Sequence, residues 1–91
     1  MPEAKNATIV DVRTPDEFAG QHVPGAINIP LDEVAQRMDE LKDMPKPIVA
    51  YCGSGNRSGM AVSILMQNGV AEAVNGGGID EMLQATKLRK G

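Results

Sequence analysis

One cysteine, Cys52, stands in the run Tyr51-Cys52-Gly53-Ser54-Gly55-Asn56-Arg57-Ser58, between the apolar stretch Ile48-Val49-Ala50-Tyr51 and a segment with helical apolar spacing. A strand that enters a short glycine-rich loop and leaves as a helix turns several backbone N–H groups inward, and the helix start adds about half a positive charge. Such a cradle suits an anion. The nearest anion is the cysteine's own thiolate, whose pKa this position lowers from ~8.5 toward ~3.5–7.5. Cys52 therefore reads as a nucleophile. A lone cysteine is more often a buried, inert side chain that closes a strand. Glycines on both sides of Ser54, with Arg57 beside them, argue against that, since neither packs a core. Gly53 and Gly55 permit positive φ and keep Cβ atoms out of the ring of donors running from Gly53 to Ser58, while Ser54 and Asn56 can add side-chain hydrogen bonds to a bound oxyanion. Arg57 either holds an incoming anion or braces the loop by pairing with an acidic partner, Asp11 or Glu17.

The elements that must position this loop follow from local signals. Ala7-Thr8-Ile9-Val10-Asp11-Val12 is a short β-rich run, and Thr14-Pro15-Asp16-Glu17 then matches a capping box with Pro15 at the first helical position. Gly20 is placed to end that helix, His22-Val23-Pro24-Gly25 reads as a turn, and Ala26-Ile27-Asn28-Ile29 as a second strand closed by Pro30. Leu31, Val34, Met38 and Leu41 recur at helical spacing, with Asp32, Glu33, Asp39 and Glu40 on the other face, and Met44-Pro45-Lys46-Pro47 breaks the helix. The continuous apolar run from 48 to 51 marks a strand buried on both faces of a parallel sheet, with Cys52 at its carboxyl end, where open α/β sheets bind ligands. A helix is expected over residues 58–68, with Ala61, Ile64, Leu65 and Asn68 along one face and Gly69 at its C′ position. A last strand is expected over 70–75, then Gly76-Gly77-Gly78 and a short closing helix carrying Ile79, Met82 and Leu83. The order predicts an α/β fold: a small parallel sheet of about four strands with helices on both faces. There is no internal repeat, low-complexity segment or linker.

Ninety-one residues read as one domain, 1–91, with stability of about 5–10 kcal/mol. One Phe, one Tyr and no Trp leave no aromatic surface on which bases could stack, so a nucleic-acid partner is not expected. The net charge is −3, and the basic tail 87–91 holds three of the nine basic residues against twelve acidic ones in the chain. A tail this short reads as a frayed, solvated end. No apolar run reaches membrane length, and residues 1–6 lack the basic-then-apolar order of a signal peptide. A single cysteine excludes an internal disulfide framework and fits a reducing compartment, so the expectation is a cytoplasmic monomer, or a periplasmic one if a leader has been removed. No cofactor is called for. With no other His or Cys near it, His22 reads as a turn-stabilising hydrogen-bond group rather than a metal ligand. Asp11 reads as a carboxylate that pairs with Arg13 or caps a loop, and Met60 and Met66 as helix packing.

Four motifs in order resemble the rhodanese-like sulfurtransferase domain. They are Ile9-Val10-Asp11-Val12-Arg13 followed by Pro15, Glu17 and Phe18; the run from His22 through Pro30; Val49-Ala50-Tyr51-Cys52 with Gly55 and Arg57; and Asn75-Gly76-Gly77. The match covers nearly the whole chain. About eight residues precede the Asp11 strand, which is similar to the short phage-shock-type single-domain members. The tryptophan that relatives carry after the Gly-Gly pair is absent, so the resemblance does not extend to the pocket rim near Ile79. The resemblance implies a persulfide mechanism in which Cys52 takes a sulfane sulfur from a donor such as thiosulfate and passes it to cyanide or a thiol, with a protein donor or acceptor as a further partner. The residues suit this on their own terms: attack needs a thiolate, and the product persulfide is an anion that must be held. Sulfite leaves as a stable anion, so no second catalytic group is required. Two rivals remain. A cysteine-dependent phosphatase or arsenate reductase needs five residues between Cys and Arg, whereas four separate Cys52 from Arg57. A non-catalytic binding or sulfur-relay module would also keep such a loop.

Overall fold

The computed structural model describes the backbone of residues 7–90 and the side chains of residues 7–85. The apolar run that ends in the cysteine forms the central strand β3 (Ile48–Cys52), in which Ile48, Ala50, Tyr51 and Cys52 are fully buried. It is flanked by β1 (Thr8–Asp11) and β4 (Ala73–Gly78), and β2 (Ile27–Asn28) lies outside β1, giving the order β2-β1-β3-β4. All three pairings are parallel. The chain steps outward one way from β1 to β2 and the other way from β3 to β4, so the connections leaving β1 and β3 diverge. At that switch point an open parallel sheet leaves a crevice beyond its carboxyl ends. Asp11 pairs in register with Tyr51, which places the end of β1 beside Cys52.

Alternation along the strands builds two cores. Val10, Ile48, Ala50 and Cys52 face one side, where they meet Val34, Met38 and Leu41 together with Ala61 and Leu65. Ile9 and Tyr51 face the other, against Val23, Ile79, Met82 and Leu83. The first side is covered by α2 (Met38–Asp43) and α3 (Asn56–Gln67), the second by α4 (Ile79–Lys90). Helices on both faces of a four-stranded parallel sheet are the architecture the sequence order predicts. The capping box also forms as expected at α1 (Pro15–Gly20): the Thr14 side chain accepts from the Glu17 amide and the Glu17 carboxylate accepts from the Thr14 amide.

Four expectations are corrected. The helix expected through Leu31 to Leu41 is broken into a 3₁₀ turn (Leu31–Glu33) and α2. Neither segment has a side-chain cap, and Arg37 precedes α2 in a non-helical conformation with φ −103° and ψ 23°. Val34, Met38 and Leu41 still bury. Helix α3 begins two residues earlier than expected, because Gly55 supplies the entry. Strand β4 begins at Ala73 rather than Val70, since Val70 closes a Schellman motif on α3: its amide donates to Leu65 O at 2.9 Å and that of Gly69 to Met66 O at 3.1 Å. Met60 and Met66 do not pack; they are 60 % and 54 % exposed on the solvent side of α3. The backbone of the basic tail continues α4 through Lys90, and the tail's side chains, like residues 1–6, lie outside the described residues.

Candidate active site

The loop leaving β3 doubles back over its own cysteine. Gly55 adopts a left-handed φ of 100°, a conformation that costs a residue with a Cβ and that glycine takes freely. This brings the Gly55 amide 2.9 Å from Cys52 Sγ, with the Ser58 amide at 3.4 Å and the Ser58 hydroxyl at 3.5 Å. Cys52 and Ser58 are both fully buried. Burial opposes the charged form of the thiol, but the hydroxyl and amide of Ser58 and the amides of Ser54 and Gly55 outweigh it, and the pKa falls from 9.0 to about 7. A substantial fraction of Cys52 is thus thiolate near neutral pH.

The hydroxyl of Ser58 is itself held from β4. Its Oγ lies 2.6 Å from Asn75 Oδ1 and 3.1 Å from Gly55 O. Asn75 in turn donates through Nδ2 to Gly55 O at 3.2 Å and accepts at Oδ1 from the Gly77 amide at 2.9 Å. One amide side chain therefore ties the loop to the neighbouring strand. The backbones approach closely here: a Cβ on Gly78 would meet Gly53 O at 2.7 Å, so only glycine fits at that position.

Both cations near the loop are paired. Arg57 Nη1 donates to Glu17 Oε1 at 2.9 Å and Nη2 to Oε2 at 3.3 Å, an ion pair that spans the crevice from α3 to α1. The guanidinium lies over Gly53, with Nη2 3.3 Å from where a Cβ would stand. Hydrogen bonding to Arg57, then to the Thr14 amide, lowers the Glu17 pKa from 4.5 to about 2. Asp11 accepts from the Arg13 amide and Nε at 2.9 Å and from Nη2 at 2.7 Å, with both residues buried, and Arg13 also donates to Gln21 O. This resolves the alternatives for Asp11 in favour of pairing with Arg13, and leaves Glu17 as the partner of Arg57. Arg13 sits 5.8 Å from the ring of Tyr51, whose hydroxyl accepts from the Val23 amide at 2.9 Å. Burial pushes Tyr51 up to about 12. His22 lies between α1 and the turn at Pro24-Gly25 and packs back on the helix: its Nδ1 is 2.9 Å from Phe18 O and its ring stacks on Phe18.

Of the residues singled out by sequence, Ser54, Gly55 and Ser58 act on Sγ, Gly53 lies beneath Arg57, and Asp11 and Arg13 form the floor beside them. Gly53, Ser54 and Asn56 are exposed. Among the described residues, no cluster of His, Cys, Asp or Glu could hold a metal ion. One member of the arrangement was not singled out by its chemistry in the sequence: Asn75, which stood only in the motif Asn75-Gly76-Gly77. Glu17, one of the two acidic partners expected for Arg57, serves the cap of α1 and Arg57 at once. A crevice of about 430 Å³ opens beside the loop, lined by Val12, Leu31, Asp32 and Arg57 among others. A larger groove of about 580 Å³, lined by Lys42, Lys46 and residues 68–72, lies at the opposite ends of the strands, away from Cys52.

The stretch that holds this cysteine at the carboxyl end of the central parallel strand lies within residues 1–85, which a family model described as Rhodanese-like domain matches. The chain belongs to the rhodanese-like domain family. The rhodanese-like chain is 44 % identical over 71 residues to the Bacillus subtilis protein YqhL, a match covering 78 % of this chain and 56 % of that protein, and so little more than half the relative's length. It is 39 % identical over 74 residues to the Escherichia coli thiosulfate sulfurtransferase PspE, covering 80 % of this chain and 71 % of the relative. In three dimensions it is similar to a solved rhodanese with anions from E. coli, with a TM-score of 0.75, 38 % identity, and coverage of 82 % of this chain and 89 % of that one. The four-stranded parallel sheet is the shared rhodanese-like fold, and PspE among these relatives is named as a sulfurtransferase.

Proposed function

We propose that this chain transfers a sulfane sulfur through a persulfide on Cys52, with thiosulfate as an accepted donor and cyanide or a thiol as acceptor. In the first step the Cys52 thiolate attacks the sulfane sulfur; a new S–S bond forms, the bond to the donor's oxidised sulfur breaks, and sulfite leaves with the electron pair. In the second, the acceptor attacks the terminal sulfur of the persulfide and the thiolate departs unchanged. No net oxidant is needed. The observation that carries this reading is the ring of donors on Sγ, from Gly55 and Ser58, which favours the thiolate as nucleophile and again as leaving group. Four residues separate Cys52 from Arg57, one fewer than the phosphatase loop needs, which favours sulfur transfer over phosphoryl chemistry.

Intact-mass spectrometry after thiosulfate treatment tests the proposal. One added sulfur that cyanide removes as thiocyanate is expected for the wild-type chain and neither event for Cys52→Ser. A wild-type chain that gains no sulfur from thiosulfate and yields no thiocyanate would leave the binding-module reading in its place.

A further inference from the structure

The loop from Gly53 to Asn56 has no charged side chain, so beyond the partial charges of its amides any formal charge that greets a donor must come from outside it. The two cations nearby are Arg57, held by Glu17, and Arg13, buried against Asp11. The crevice beside them adds an apolar wall from Val12, Pro30 and Leu31 and one further carboxylate, Asp32. A free dianion entering here meets paired cations and an extra negative charge. A monoanion with an organic body meets half the repulsion and has an apolar wall to cover.

We propose that Glu17 is a positioning residue that sets donor specificity: by neutralising Arg57 it disfavours dianionic thiosulfate and favours monoanionic sulfane donors in which the sulfur is carried on an organic group. This rests on the Cys52 persulfide reading above. The carboxylate is placed for the task. Its Oε1 accepts from the Thr14 amide at 3.0 Å, the Thr14 hydroxyl at 3.1 Å and Arg57 Nη1 at 2.9 Å, while Oε2 makes only the longer contact with Nη2. Glu17→Gln can therefore keep all three Oε1 bonds, including the capping box, which tolerates Gln. It removes the charge and turns the Oε2 position into a donor facing Arg57 Nη2, so that Arg57 is held through the Nη1–Oε1 bond alone. The organic donor reacts as thiosulfate does: Cys52 attacks the sulfane sulfur, the bond to the sulfonyl sulfur breaks, and a sulfinate leaves with the electron pair.

The test compares thiosulfate with benzenethiosulfonate, a stable monoanion of the same reactive group, in wild-type and Glu17→Gln proteins, with Tm measured for both. Wild type is expected to show the higher kcat/KM for benzenethiosulfonate. Because a dianion feels a removed charge twice as strongly as a monoanion, Glu17→Gln should raise kcat/KM roughly tenfold for thiosulfate and roughly threefold for benzenethiosulfonate, mainly through KM, with the thiosulfate gain fading at high salt. The gain should vanish in Glu17→Gln/Arg57→Ala. A fall in thiosulfate kcat/KM at unchanged Tm would make Glu17 a brace, and equal gains for both donors would remove charge as the cause; either result overturns the proposal alone. No persulfide from either donor in wild type overturns the sulfur-transfer reading and this one with it.

Discussion

Replacing Ser58 with Ala isolates the side-chain part of the thiolate cradle. The Ser58 hydroxyl has one proton and three acceptors within reach: Asn75 Oδ1 at 2.6 Å, Gly55 O at 3.1 Å and Cys52 Sγ at 3.5 Å. While Cys52 is a thiol, its S–H can donate to Ser58 Oγ and the hydroxyl can donate to Asn75. Once the thiolate forms, the hydroxyl turns to Sγ and gives up the Asn75 bond, leaving Oδ1 still served by the Gly77 amide. The hydroxyl thus exchanges a neutral hydrogen bond, worth ~0.5–1.5 kcal/mol, for one to a charge, worth ~1.5–3 kcal/mol, a net preference for thiolate of about 1 kcal/mol. At about 1.4 kcal/mol per pKa unit, Ser58→Ala should move Cys52 from about 7 to ~8, the amides of Ser54, Gly55 and residue 58 retaining the rest of the depression. The assay is the pH dependence of alkylation by iodoacetamide. The midpoint should rise by about one unit while the plateau rate at high pH stays near that of wild type. A midpoint that moves by less than ~0.3 unit would refute the reasoning and assign the depression to the backbone amides alone.

Two further outcomes follow from the ion pair beneath the site and from the thiolate. Asp11→Ala leaves the Arg13 guanidinium buried without its carboxylate, so it should cost ~3–5 kcal/mol, visible as a large drop in the urea midpoint, and a loss under ~1 kcal/mol would show that water reaches Arg13 freely. The Cys52 pKa is lower in the folded state than the ordinary thiol value of 9.0, so its contribution to stability is present in full above pH ~9 and is lost as pH falls through about 7. Urea midpoints should accordingly rise from pH 6 to pH 9 in wild type, by at most ~2–3 kcal/mol of stability, and this rise should be missing in Cys52→Ser; Tyr51, raised to about 12, stays protonated throughout that window.

How much of this was legible in the sequence depends on how local each determinant is. The thiolate cradle was readable because a strand, a glycine loop and a helix start are consecutive, and the Gly55 and Ser58 amides reach Sγ from three and six positions away. The capping box at Thr14 is local in the same sense and formed as expected. The errors fall where a residue serves two elements. Val70 has the type of a strand residue, but its amide and side chain are committed to closing α3 on Leu65, so β4 had to start later and run through the glycines. Those glycines look like a loop until the cost of a Cβ against Gly53 O is known, which is a property of the packed loop and not of the segment. The same holds for the polar partners. Arg57 finds Glu17 across 40 positions and Ser58 finds Asn75 across 17, contacts created only when β1, β3 and β4 pair. Sequence therefore located the nucleophile and narrowed the partner of Arg57 to Asp11 or Glu17, while the choice of Glu17 and the hold of Asn75 on Ser58 are products of the sheet order.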